Sequence, residues 1–274
     1  MPSTVFFDVV GSNGRSRQGS MSSAGGRDQI ARSIWLNGLQ AYEAPLPQLF
    51  MRLVHGAETV FDVGANSGLY AILAALSESR CRVVSFEPFP VAVESLKANL
   101  AANHLNDRVT VVNAAAGEAA GETSLFIPEK SFGDVLETSA SLVKEFRPKH
   151  SEVLKVEVDT LDGYVARHQM PRVSVIRADV EGAEHLVLQG SPEILETHRP
   201  YVFVEILADV SASYLERSRQ KAGYRAMCIG TNTLTMQQEV KCVPGSFNHL
   251  WYPPENHSKV LAAAAELGLQ VAGE

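Results

Sequence analysis

From residue 59 to residue 207 the chain alternates short runs rich in valine and isoleucine with segments of helical periodicity. That alternation restricts the fold more than any other feature. The runs at 59–63, 82–86, 109–112, 173–178 and 201–206 are apolar stretches of the kind found in strands covered on both faces. Helices are predicted between them at 69–77, at 91–103 with Val93, Leu96 and Leu100 inward, and at 182–189. Strands separated by helices form a parallel sheet, and right-handed crossovers make it doubly wound.

Two regions depart from this pattern. Strand-like runs at 123–127 and 153–158 flank a polar segment, 129–151, which reads as an inserted hairpin with a long loop; the whole insertion covers 114–161. A loop of that length inside a compact domain usually serves function. Near the end, 225–229, 233–237 and 249–252 read as strands with no helix between them, an antiparallel finish to the sheet. An alanine-rich helix is predicted at 258–269. Ahead of the alternation, helices are expected from Asp28 onward (Ile30, Ile34, Trp35, Leu39) and at 45–54. Residues 11–26 are nearly devoid of large apolar side chains, so 1–27 reads as a flexible segment preceding a single domain, 28–274.

The net charge of −7 over 274 residues argues against a general nucleic-acid binder, since phosphate contacts need a basic face. Cys81, Cys228 and Cys242 are odd in number and form neither a zinc pattern nor a disulfide framework. With no export signal and no apolar run of spanning length, a cytoplasmic protein is expected. Oligomeric state is left open.

The most informative stretch is Asp62-Val63-Gly64-Ala65-Asn66-Ser67-Gly68, which joins the first of these strands to its helix. In a doubly wound sheet a nucleotide-like ligand binds at that position. The spacing is G-x-x-x-G, so neither the dinucleotide fingerprint nor the phosphate loop is present. The next strand ends in Phe86-Glu87-Pro88, where a carboxylate can accept bonds from a ribose diol. The third ends in Asn113-Ala114-Ala115, small residues beside which an adenine edge has room. Three successive strand ends thus point to an adenosine-bearing cofactor.

An Asp62-x-Gly64-x-x-x-Gly68 loop with an acidic second-strand end resembles the S-adenosylmethionine-dependent methyltransferases. VFDVGANSGLYA, SFEPFP, IRADVEGAE and PYVFVEI, in that order, are similar to the FkbM family across roughly residues 41–253. The resemblance implies a Rossmann-like class I fold: a seven-stranded, mostly parallel sheet with its last strand reversed. It also implies S-adenosylmethionine as cofactor and methyl transfer to a hydroxyl of a small-molecule acceptor, often a sugar or natural product. The expected cofactor site is Asp62, Gly64, Ala65, Asn66, Gly68, Glu87, Pro88, Asn113, Ala114 and Asp179. Glu43 joins it, because the family carries a comparable Tyr-Glu pair, here Tyr42-Glu43, just before the core.

Asp179, Glu181 and Glu205 lie at or beyond the ends of later strands and converge on the carboxyl edge, facing the acceptor. The general base is one of these carboxylates or His249, whose strand begins at the same edge; His185 is a weaker candidate. Clustered acids holding a divalent cation are a further alternative. The inserted segment carries Lys130, Lys144, Arg147, Lys149 and His150, read as solvated charges, and Ser139, Ala140, Ser141 and Leu142 as acceptor contacts. A nicotinamide-dependent oxidoreductase and a non-catalytic binding module are the competing functions.

Overall fold

A computed structural model describes residues 1–129, 139–147, 149–207 and 209–273 of the chain. At its centre lies the strand β3 (Thr59–Val63), every residue of which is buried, followed by a helix Leu69–Ser77 in which all nine residues are buried. A helix apolar all round must be covered all round. One side of this helix lies on the sheet; the other is roofed by two strands that precede it, β1 (Thr4–Val10) and β2 (Ser16–Ser22).

These two strands correct the expectation of a flexible segment at 1–27. They pair antiparallel from Thr4↔Ser22 to Val10↔Ser16. Val5, Phe7 and Val9 alternate inward, the period of a half-buried strand, and join the core with Met21. Gly19 stands opposite Phe7, where a Cβ would lie 2.5 Å from the ring, so its missing side chain makes room for the aromatic. The outer edge of β2 is satisfied by side chains rather than by another strand. Ser20 N–H donates to Asn103 Oδ1 (2.9 Å) and Ser22 N–H to Asn99 Oδ1 (2.8 Å). Partners so distant leave no local trace in a polar sequence.

Numbered in chain order, the remaining elements are α1 (Gln29–Asn37), capped by Asp28 accepting from Ala31 N–H at 2.8 Å, α2 (Leu46–Val54) and α3 (Leu69–Ser77). Next come β4 (Arg82–Phe86), α4 (Pro90–Ala102), β5 (Val109–Val112) and β6 (Ala115–Ala116). The inserted segment forms β7 (Gly121–Pro128) and β8 (His150–Asp159), which pair antiparallel and make a small sheet with β6. The chain returns through α5 (Leu161–His168), β9 (Val173–Ala178), α6 (Glu184–Gln189), β10 (Tyr201–Glu205) and α7 (Asp209–Ala222). It closes with β11 (Arg225–Ile229), β12 (Thr233–Gln237), β13 (Asn248–Tyr252), α8 (His257–Glu266) and β14 (Gln270–Ala272).

The main sheet has nine strands in the order β14-β12-β11-β13-β10-β9-β3-β4-β5. Its seven strands from β11 to β5 give the Rossmann-like, doubly wound arrangement. β13 enters between β10 and β11, antiparallel to both, as the reversed last strand. Beyond a seven-stranded sheet lie β12, the strand expected at 233–237 and hairpinned to β11, and β14 on the outer edge, where none was expected. β14 exists because the terminal helix stops at Glu266 rather than at 269. Gly268 takes a left-handed φ of 67°, its N–H bonds Ala265 O, and Leu269 N–H reaches back to Ala264 O. That termination turns the chain out of the helix and onto β12. Among the described residues no helix is long and apolar enough to cross a membrane.

The structural role of β1 and β2 has a direct test. Phe7→Ala should lower unfolding free energy by about 3 kcal/mol in urea titration, the cost of emptying a buried aromatic site. An unchanged midpoint would return residues 1–27 to the status of a tail.

Candidate active site

The turn from β3 into α3 is held by its own backbone. Gly64 N–H and Ala65 N–H both donate to Phe86 O (2.9 and 3.1 Å), drawing the turn toward the end of β4. Gly64 has φ 78°, and a Cβ there would stand 1.9 Å from Asp179 O, so only glycine lets the ends of β3 and β9 approach this closely. Asn66 follows at φ 50°, and Gly68 caps α3, packed where a Cβ would meet Leu96 at 2.4 Å.

Glu87 is buried and tied to this turn. Its Oε2 accepts from Asn66 N–H (2.8 Å) and its Oε1 from Phe89 N–H (2.9 Å). Burial pushes its carboxyl up to about 7, against the pull of those two N–H bonds. An ionised carboxylate has about four acceptor sites, so roughly two remain for a diol. Turn and acid therefore share one cavity, with Pro88, Phe89, Ala115, Ala116 and Leu125 on its walls. Ala140 and Leu142 of the insertion close it, and Ser141 Oγ anchors that segment by donating to Glu181 O (2.7 Å).

A second, more open cavity of ≈ 610 Å³ meets the first at Gly64, Asn66, Asp179 and Glu181, which line both. Arg177 forms part of its lining. The guanidinium is buried, contacts Asp62 Oδ1 (3.4 Å) and Gly64 O (3.3 Å), pairs with Asp179, and lies 4.1 Å from the centroid of the Tyr70 ring. Tyr70 in turn donates to Glu43 Oε2 (2.7 Å). Burial, and then the Glu43 charge, push the Tyr70 phenol well above its ordinary value, so it stays protonated and donates. Tyr42, Glu205, Phe146 and Arg147 also border this cavity.

Several expected residues lie elsewhere. Asn113 lines neither cavity; its Nδ2 braces the Glu87 and Pro88 carbonyls (3.0 and 3.3 Å). Ala114 is likewise outside, and the small wall residues are Ala115 and Ala116. Asp62 is completely buried behind the turn as the partner of Arg177, its carboxyl pushed up to about 6 by burial.

His249 does not face an acceptor. It sits fully buried in β13 between Val204 and Cys228, with Nδ1 on Phe247 O (2.9 Å), and burial lowers it to about 4. A strand alternates its faces, and residue 249 falls on a covered one. His185 packs its ring 5.4 Å from that of Tyr214 and lines neither cavity. Of the basic residues in the insertion, Arg147 reaches the second cavity, Lys144, Lys149 and His150 line neither, and Lys130 lies outside the described residues.

The carboxylates regroup as well. Asp179, Glu184 and Glu205 bring oxygens within 4.8 Å of one another, and Glu181 lines both cavities beside them. Glu181 (φ 57°) and Gly182 (φ 95°) take left-handed conformations, which delays α6 to residue 184. Burial, with the charges of Asp179, Glu181 and Glu184, pushes Glu205 up to about 10.

With this geometry, residues 62–226 match the profile of the methyltransferase FkbM domain. The chain belongs to the FkbM methyltransferase family. The 31-O-demethyl-FK506 methyltransferase FkbM of Streptomyces tacrolimicus is 27% identical over 164 residues, 50% of this chain and 63% of that protein. Methyltransferase sdnD of Sordaria araneosa is 24% identical over 156 residues, 49% of this chain and 60% of that protein. The chain thus spans about six-tenths of the length of these two relatives. The hexuronic acid methyltransferase AglP of Haloferax volcanii is 26% identical over 186 residues, 66% of this chain and 70% of its own. The crystal structure of methyltransferase FkbM from Methylobacillus flagellatus KT superposes with a TM-score of 0.44 at 16% identity, covering 72% of this chain and 44% of that one.

Sequence reasoning passed over Arg177, Tyr70 and Glu184. Arg177 had a signal: a cation inside the apolar run 173–178 must find partners when buried. Glu184 had a weaker one, an acid just after a glycine turn.

Burial of neutral His249 sets a pH dependence. The unfolded chain binds a proton there near pH 6.5 and the folded chain near 4, so this contribution is complete above 6.5 and is lost as pH falls. The stability gap between wild type and His249→Gln should narrow by about 2 kcal/mol from pH 7 to pH 5, measured by denaturant unfolding. A constant gap would mean that the folded protein protonates this ring.

Proposed function

We propose that the protein is an S-adenosylmethionine-dependent O-methyltransferase that acts on a hydroxyl of a sugar or natural-product acceptor. The observation that carries this reading is the bond from Asn66 N–H to Glu87, which makes the glycine turn and the acid two sides of one cavity opening onto an acidic cleft. The residues present fit the cofactor. Glu87 has spare acceptor capacity for a ribose diol, and Phe89, Ala115, Ala116 and Leu125 offer apolar walls to an adenine. Glu43 and Arg177, beyond the junction, suit an amino and a carboxylate group. When bound, the cofactor supplies an electrophilic methyl group on a sulfonium.

The chain's own residues then have separable tasks. Gly64 and Asn66 position backbone at the junction of the two cavities, so that a ligand in the first can meet one in the second. Asp179 and Glu181 stand on the shared wall, where an acceptor hydroxyl would give up its proton. Orienting the two reactants supplies a large part of the rate. Similarity to proteins named for FK506 and hexuronic acid methylation supports a hydroxylated small molecule as acceptor.

Calorimetry with S-adenosylhomocysteine tests the cofactor site. Glu87→Ala should weaken binding by about 1.5–3 kcal/mol, the range for hydrogen bonds to a charged group. Unchanged affinity would remove Glu87 from the site. Thermal stabilisation by NADH with none by S-adenosylhomocysteine would overturn the reading altogether. Release of S-adenosylhomocysteine across a panel of hexuronic acid glycosides and macrolactones would then identify the acceptor class.

A further inference from the structure

At the amino ends of β3, β9 and β10, opposite the carboxyl edge, α2 and α8 border a further cavity of ≈ 330 Å³. It shares no lining residue with the two cavities of the candidate active site. On a chain of net charge −7 its charge is inverted: Arg52, Arg172, Arg199 and Lys259 line it, against Glu266 alone. His55 adds nothing to that balance, since burial and then the Arg52 charge lower it and keep the imidazole neutral at pH 7.

Two of the four cations are neutralised within the chain. Arg52 pairs with Glu266 (3.2 Å), and Arg199 grips Glu255 through both Nε and Nη2 (2.5 and 3.0 Å). Arg172 and Lys259 have no carboxylate partner among the described residues. The Arg172 guanidinium is nevertheless fixed, because its Nε donates to His198 O (3.0 Å) while Val173 N–H donates to His198 Nδ1 (3.0 Å). Burial raises the Tyr201 phenol, and the Arg172 charge beside it acts in the opposite direction. Neutral donors complete the set. Ser174 Oγ accepts from Glu58 N–H (3.1 Å), so its own hydroxyl proton is left to donate. Asn256 makes no side-chain bond to the helix it precedes. The cavity thus presents two uncompensated cations, two hydroxyls and an amide, and its one acid is already paired.

From this arrangement we infer that the cavity binds the phosphate group of a small phosphate monoester. Such a group carries about −1.5 to −2 charges at pH 7 and three acceptor oxygens, which matches two unpaired cations and the neutral donors around them. A carboxylate would satisfy one cation and leave the other. The remaining wall, Leu53, Ala57, Ala262 and Ala263, is apolar and suits a carbon skeleton, which free phosphate lacks. The volume lies at the lower end of the range for small-molecule sites. Tyr201 stands on this cavity and Glu205, at the other end of β10, on the second cavity of the active site, with ~13 Å of strand between them. Both places can therefore be filled at once, and phosphate binding does not depend on the proposed transferase reaction.

Isothermal titration calorimetry of the full chain with phenyl phosphate tests the site, in about 20 mM sodium chloride, where screening is weak. One molecule should bind per chain with Kd below about 1 mM. Phenyl sulfate, a monoanion of the same shape, and inorganic phosphate, which lacks the ring, should each bind at least about fivefold more weakly. Arg172→Gln and Lys259→Gln should each weaken phenyl phosphate binding at least about tenfold, the loss of one charge-assisted hydrogen bond, with circular dichroism preserved. Lys97→Gln, which removes an equal charge from the exposed face of α4, should bind as wild type does. Absence of saturable binding at ~10 mM phenyl phosphate, or unchanged affinity in either cavity variant, would overturn the site. Equal affinity for phenyl sulfate or for inorganic phosphate would overturn the monoester as its ligand. Competition by S-adenosylhomocysteine, or loss of binding in Arg147→Gln, would move the anion to the active-site cavities and equally overturn the inference.

Discussion

The Arg177 guanidinium is the contact on which the carboxyl edge depends. It belongs to the penultimate residue of β9, a strand buried on both faces, and it lies over Tyr70 and is paired with the completely buried Asp62. Removing a charge from water in this way is expensive unless each donor finds an oxygen. Here the oxygens come from three places: the strand before the glycine turn, the turn itself and the end of β9. The same cation therefore holds β3, the turn and β9 in register at the point where the two cavities meet. The near contact of Gly64 with the Asp179 carbonyl is the steric counterpart of that pairing. Neither strand end can move without breaking an ion pair or opening a gap.

What the sequence disclosed, and what it hid, follows from the range of each interaction. β3, β4, β9 and β10 were legible because a buried strand writes its environment into consecutive residues. The glycine turn and Glu87 were legible because a strand–turn–helix junction is local, and the acid closes the adjacent strand. Asn113 and Ala114 missed the cavity by one or two positions. The chain beyond β5 turns into β6, and sequence does not fix which of several small residues faces inward. His249 failed for a different reason. Its strand has the expected place and direction, but the face it presents is set by register with β10 and β11. Glu181 keeps the expected edge, lining both cavities, and Glu184 joins it there because two left-handed residues in succession delay the start of α6.

β1 and β2 are the largest part of the molecule that composition concealed. Judged by residues 11–26 alone, they had too little apolar content to order themselves. They are ordered by what lies beneath them: a helix with no polar face, which needs a roof, and two asparagines that complete a strand edge. The hydrophobic demand was written in α3 and the answer to it in residues some fifty positions earlier. Such a dependence is visible only when both segments are placed in space.

Asn99 extends that dependence to the chemistry. Its buried side chain accepts from Ser22 N–H with one end and donates to Ser67 O with the other (2.8 Å in each case). One amide group thereby spans the roof and the glycine turn, and neither end can be released while the other keeps both its geometry and its satisfied polar atoms. Loosening at the amino-terminal strands is thus transmitted to the glycine turn through a lever a single side chain long. In this architecture a segment some forty residues ahead of the glycine turn in sequence is mechanically coupled to it.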